Sequence, residues 1–214
     1  MRATPWERDI ALNIVDFCIN KGFAKPYVCE YKTCSMWDWF DKNGLLENGF
    51  EYNDGASKGV IFHEDLEDWV IKFRLPCESS EKDYCCREYD NYVAAEEAGL
   101  EYYFASTEYL CEREGIIFYL QEKVEQDSDV DSRIVEKLEK QYNDSGSSYN
   151  VNDLYEEAEE MSAYERIMLL YGDEVLANFI VEHRINDLHC GNFGIVGDHY
   201  VMLDFSGYGS GVWR

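Results

Sequence analysis

The chain has 214 residues, 46% of them hydrophobic and 15% aromatic, and a formal net charge of −25. The apolar and aromatic content supplies a packed core and excludes a disordered chain. The acidity, spread over both halves, repels phosphate backbones and speaks against direct binding of DNA or RNA.

The sequence holds no run of about 18 apolar residues of the kind a transmembrane helix needs. "MRATPWERDI" lacks the apolar segment of a secretory signal. A cytoplasmic protein without a membrane span is expected. The eight cysteines form no CxxC pair and read as reduced, semi-buried thiols. His183, His189 and Cys190 match no established zinc spacing.

In chain order, residues 6–21 place Ala11, Ile14, Val15 and Cys18 on one helical stripe. "MWDWF" (36–40) predicts a second short helix ended by "KNG". From Gly49 the pattern turns to β: a strand near 49–53, a loop "NDGASKG", the run "GVIF", an acidic turn and "DWVIKF". These predict a three-stranded antiparallel meander. Residues 81–100 predict a helix with Cys85, Glu88, Tyr92 and Ala95 on one face and Gly99 at its end. "GIIFYLQEKVEQ" (115–126) reads as a further strand. Helices are predicted over 131–142, 152–171 and 173–183, with a Ser/Gly/Asn loop at 143–150.

The last segment, "INDLHCGNFGIVGDHYVMLDFSGYG", reads as a turn and a hairpin. Asn192 opens its first strand and Asp204 follows its second, so antiparallel pairing brings the two together, with Asp187 a short distance away. An amide oxygen beside a carboxylate makes a hard-oxygen site suited to Mg²⁺, and a nearby carboxylate can accept or orient a proton. Asp and Asn are also ordinary turn residues, and spacing alone leaves both readings open. Upstream, alternation in "WVIKF" puts Val70 and Lys72 on one face and Ile71 and Phe73 on the other. Lys72 then faces either solvent or an anion, with Glu88, Glu96 and Glu97 as rival partners. Gly55 and Gly59 can let backbone amides approach phosphate oxygens.

These residues together resemble the protein-kinase-like superfamily. "NDLHCGNFG…VMLDFSG" is similar to its catalytic loop followed by its metal-binding Asp-Phe-Gly region. The form "DLHxGN" is closer to the aminoglycoside and choline phosphotransferases than to protein kinases. "WVIKF" resembles the strand of the nucleotide-positioning lysine. The helix with Glu88 resembles the one carrying that lysine's glutamate. "NDGASKG" resembles the glycine-rich loop and "LQEKVE" the hinge. The resemblance covers roughly residues 49–207.

The resemblance implies an α+β, two-lobed kinase-like fold with a small antiparallel β-sheet lobe and a reduced helical lobe. The segments are an N-terminal helical stretch (1–48), a β-rich lobe with an inserted helix (49–125) and a helical lobe with the catalytic hairpin (126–214). It further implies ATP and Mg²⁺ as cofactors. Asp187 takes the catalytic carboxylate role, and Asn192 and Asp204 the metal. Lys72, paired with Glu88, takes the α- and β-phosphates, which Gly55, Ala56, Ser57 and Lys58 cover. Glu122 and Val124 belong to the hinge backbone that holds adenine. The sequence departs from the family at Ile185-Asn186, where His-Arg precedes the catalytic Asp, and at Ser206. Ten residues follow Asp204, too few for an activation segment or a protein-docking subdomain. The expectation is a minimal phosphotransferase acting on an unknown small-molecule or protein acceptor. The rival is an inert or nucleotide-binding pseudokinase-type module that works by protein contact. The third reading is an acidic decoy.

Overall fold

A computed structural model of the chain describes residues 1–23, 36–54, 58–74, 83–126, 129–196 and 199–207. The protein is α+β, with seven α-helices and eight strands among the described residues, the strands arranged in two sheets. Its internal contacts divide it into two compact units: Met1–Val93 with Ala105–Lys123, and Ala94–Phe104 with Val124–Arg214.

The first unit opens with α1 (Pro5–Asn20), begun by a Thr4–Glu7 capping box with Pro5 in the first turn. That arrangement satisfies amide groups a helix start leaves bare. Hydrogen bonds from Thr4 hold the Glu7 carboxyl below the usual range. The predicted stripe of Ala11, Ile14, Val15 and Cys18 is buried. After α2 (Met36–Lys42), the strands β1 (Phe50–Asp54), β2 (Lys58–His63) and β3 (Trp69–Arg74) form the expected antiparallel meander. Gly59 is needed there, because a Cβ at that position would lie 2.3 Å from Phe73 Cζ.

The sheet is larger than the sequence reading gave, with order β1-β2-β3-β5-β4. β5 spans Ile116–Glu122 and β4, which the sequence reading left unassigned, spans Thr107–Arg113. Their two-residue turn has Glu114 at φ 50° and Gly115 at φ 79°. Two positive φ values in succession give the turn whose twist suits a hairpin. Alternation in β3 holds: Ile71 and Phe73 join the core formed with α1, Phe40, Ile61 and Phe118. Val70 and Lys72 are also buried, on the opposite face. α1 and α2 therefore cover one side of the sheet, and α3 (Tyr84–Ala98) reaches the other through Glu88. Among the described residues Cys18, Cys85 and Cys111 are buried and carry no disulfide. Burial pushes the Cys18 thiol up to about 12.

The second unit is mostly helical: α4 (Val130–Ser145), α5 (Val151–Glu160), α6 (Ala163–Tyr171) and α7 (Glu174–Glu182). Three expectations change here. The loop expected at 143–150 starts later, since α4 runs to Ser145 and ends at Gly146, which takes a left-handed conformation. The single helix expected over 152–171 is two, because Ser162 and Glu165 form a capping box that begins α6 afresh. The strand expected over 115–126 breaks after Glu122, and β6 (Glu125–Gln126) pairs instead with β7 (Phe193–Val196). β7 in turn pairs with β8 (His199–Met202) in the predicted hairpin. Phe104 packs edge-on against Phe179 and Phe205. No helix among the described residues is long and apolar enough to cross a membrane.

Candidate functional site

The predicted residues fall into two groups, one in each unit. In the first unit, Lys72 Nζ donates to Glu88 Oε1 at 3.0 Å. Glu88 is thus the partner, ahead of Glu96 and Glu97. Lys58, expected over the phosphates, lies on β2, and its Nζ donates to Glu88 Oε2 at 2.9 Å. Register explains the meeting: Lys58 pairs with Arg74 and Val60 with Lys72, so Lys58 and Lys72 share a sheet face. Gln121 Nε2 donates to Glu88 Oε1 at 2.9 Å and to Thr107 Oγ1 at 3.0 Å. Glu88 is 1% exposed, Lys58 6% and Lys72 8%. A carboxylate this deep is tolerable because three donor contacts, from Lys58, Lys72 and Gln121, compensate its lost hydration. Burial pushes the neighbouring Cys85 thiol up, against the pull of Lys58 and Lys72.

Of the two residues expected to hold adenine, Glu122 ends β5 of the same sheet, whereas Val124 lies beyond it against the second sheet. The Glu122 amide donates to the Ser106 carbonyl at 2.8 Å, and its carboxylate accepts from the Ser106 amide at 3.2 Å. Val124 lies against Gly194, where a Cβ would stand 2.6 Å from Val124 Cγ1. Gly55, Ala56 and Ser57 lie outside the described residues, as do Gly197 and Asp198 of the hairpin turn.

In the second unit, residues 187–192 make a tight, heavily tied turn. Asn192 Nδ2 donates to the Asp187 carbonyl at 2.7 Å. Gly191 N donates to His189 Nδ1 at 3.0 Å, and Gln126 Nε2 donates to the Gly191 carbonyl. Arg166, 8% exposed on α6, donates to the Leu188 carbonyl at 2.9 Å and to Asp131 at 2.8 Å. The Asp187 side chain is 20% exposed, with His189 Nε2 3.6 Å from its Oδ1. Leu203 N donates to the Asn192 carbonyl at 2.9 Å, so Asp204 follows directly on Asn192's partner, as the hairpin reading requires. Ser206 Oγ donates to Asp204 Oδ1 at 3.0 Å. Gly207 sits at φ 64°, and a Cβ there would lie 2.0 Å from the Arg184 carbonyl oxygen. Gly207 thus stands where no side chain fits.

The donor set suits Mg²⁺. The Asn192 nitrogen is committed to Asp187, leaving the amide oxygen as its acceptor end, and Asp204 supplies a carboxylate. Among the described residues no three His, Cys, Asp or Glu side chains gather as a metal cage. Mg²⁺ is commonly held by one or two carboxylates with phosphates and waters completing the shell, so no such cage is needed.

Sequence reading missed Lys58 as a partner of Glu88, and Gln121, Gln126 and Arg166 altogether. Arg166 carried one local signal, an arginine within the apolar run "RIMLLY". Comparison of the chain with protein-family models, curated proteins and solved structures finds no match.

Proposed function

We propose that this chain is a kinase-like phosphotransferase that moves the γ-phosphate of ATP to an acceptor with Mg²⁺. The observation that carries this reading is the buried pair of Lys72 with Glu88 at 3.0 Å. A lysine on a central strand and a glutamate on the following helix are the pairing the resemblance demands, and a solvent-facing lysine would not form it. The tied turn at 187–192 supports the same reading from the second unit. Lys72 is assigned to the phosphates, Asn192 and Asp204 to the cation, and Asp187 to the acceptor hydroxyl. Mg²⁺, when bound, neutralises phosphate charge; the side chains position and orient. The acidic chain favours a cationic acceptor.

One observation favours the rival reading of an inert module. Lys58 takes the second oxygen of Glu88, and a carboxylate shared by two lysines and Gln121 also fits a purely structural cluster.

Thermal melting with and without ATP and MgCl₂ separates the two. A ligand at about 100 times its Kd adds about 2.7 kcal/mol, roughly 5–10 °C for a chain of this size. Absence of a shift at millimolar ATP sinks the phosphotransferase. A shift without turnover, unchanged by Asp187→Ala, leaves the inert module.

A further inference from the structure

The 187–192 turn contains a side chain to which neither the resemblance nor the proposed function gives a task. His189 is well exposed, with 57% of its side chain open, yet both ring nitrogens face defined groups. Gly191 N lies 3.0 Å from Nδ1. A backbone N–H can only donate, so Nδ1 accepts and carries no hydrogen. The ring's N–H is therefore on Nε2, the atom 3.6 Å from Asp187 Oδ1. That distance is longer than a hydrogen bond but within electrostatic reach.

The turn is shaped around this ring. A Cβ at residue 191 would stand 2.8 Å from His189 Cε1 and 3.0 Å from Nδ1, so the glycine of "DLHCGN" makes room for the imidazole. The Gly191 carbonyl, in the next peptide unit, is held by Gln126. Asp187 is fixed at its carbonyl by Asn192, which leaves its carboxylate to rotate unless something holds it.

We infer that His189 is the positioning residue of Asp187: the Gly191 amide fixes the imidazole so that its Nε2–H faces the carboxylate and holds one oxygen, leaving the other to the acceptor hydroxyl. This role rests on the phosphotransferase reading and extends it to a residue to which that reading assigns neither nucleotide nor metal.

Two substitutions separate the ring's two ends. In His189→Asn the amide oxygen takes the place of Nδ1 and keeps the Gly191 bond, but nothing reaches Asp187. In His189→Gln the amide nitrogen reaches the place of Nε2 and keeps a donor toward Asp187. Turnover of ATP is measured on the full chain alongside the melting shift with ATP and MgCl₂. The expected result is a fall in kcat of about 10-fold or more in the Asn variant, the usual scale for an outer partner of a reactive group. The Gln variant stays near wild type, and KM for ATP and the melting shift change in neither.

Wild-type kcat in the Asn variant, or an equal fall in both variants, overturns the role while leaving the phosphotransferase intact. A wild-type chain without turnover overturns the phosphotransferase and the role with it. Independently of turnover, long-range proton–nitrogen spectra recorded above the usual imidazole range place the ring hydrogen of His189 on Nε2; a hydrogen on Nδ1 overturns the assignment.

Discussion

Glu88 and Asp187 are both carboxylates at the centre of a network, but the two networks hold different atoms. Around Glu88 the donors go to the carboxylate itself: Lys72 and Gln121 to Oε1, Lys58 to Oε2, in a site 1% exposed. Around Asp187 the ties go to the backbone. Asn192, Arg166 and Gln126 bond the carbonyls of Asp187, Leu188 and Gly191. One arrangement fixes a charge as part of the core. The other fixes the frame of a turn and leaves its carboxylate partly open. A buried charge with its partners in place is a structural commitment, and removing one partner leaves the rest stranded. A carboxylate on a rigid turn can exchange its contacts, which suits a group that must meet a substrate.

The largest effect expected from this contrast is at Glu88. Glu88→Ala leaves Lys58 and Lys72 in the core without the carboxylate both were bonded to, and breaking a buried pair costs about 3–5 kcal/mol. Urea unfolding monitored by Trp69, which is buried in the same unit, measures it. A loss below about 1 kcal/mol breaks the contrast by showing that the cluster is soft. Lys58→Met sharpens it: a similar-length apolar side chain removes one cation and keeps the pair of Lys72 with Glu88, so the loss should be smaller than that of Glu88→Ala.

The two networks were unequally legible in the sequence. Alternation in "WVIKF" placed Lys72 with Val70 on the face opposite Ile71 and Phe73, and the spacing of Cys85, Glu88, Tyr92 and Ala95 placed Glu88 on one face of its helix. All four helix positions are buried. Both inferences used local periodicity, which survives folding unchanged. The bond of Lys58 to Glu88 was not legible because its neighbours Gly55, Ser57 and Gly59 mark a loop, while its place on β2 is set by the pairing of Lys58 with Arg74, a long-range register. β4 was missed because "TEYLCER" carries Glu108 and Glu112. Glu108 is 7% exposed only because Ala3 N and Arg8 bond it from a segment about a hundred residues away. The hairpin of Asn192 and Asp204 could be read because two short strands pair next to each other. Gln121 and Arg166 could not, since a polar residue at the edge of an apolar run looks the same whether it faces water or a buried polar group, and Gln126 stands among polar neighbours with nothing to mark it.

A smaller effect is expected at Asn192. Asn192→Ala removes the donor to the Asp187 carbonyl, a loss of about 1–2 kcal/mol for one half-satisfied backbone group. It also removes the amide oxygen assigned to the cation, so the ATP–MgCl₂ melting shift should shrink far more than the stability does. If the variant loses as much stability as Glu88→Ala, the turn belongs to the core and the contrast fails. If stability and shift fall in proportion, Asn192 acts by folding alone.

The smallest effect concerns carboxylates that work at the surface. Asp173 caps α7, its Oδ1 accepting from Val175 N at 2.9 Å and Leu176 N at 3.0 Å, while Tyr103 Oη donates to Oδ2 at 2.8 Å. The Leu176 amide, followed by the Tyr103 hydroxyl, holds its carboxyl below the usual range. A carboxyl lowered on folding contributes stability that is present above its unfolded pKa and lost as pH falls through the folded one. Asp173→Ser keeps a capping oxygen but has no charge and no reach to Tyr103. At neutral pH the variant should be less stable by about 0.5–1 kcal/mol, the scale of a charge at a helix start. The gap should close as acid protonates Asp173, because wild type then caps with a neutral group as the variant does. Amide exchange in α7 followed across that range reads the gap directly. A gap that stays constant with pH would assign the cap's contribution to its hydrogen bonds and leave the charge without a share.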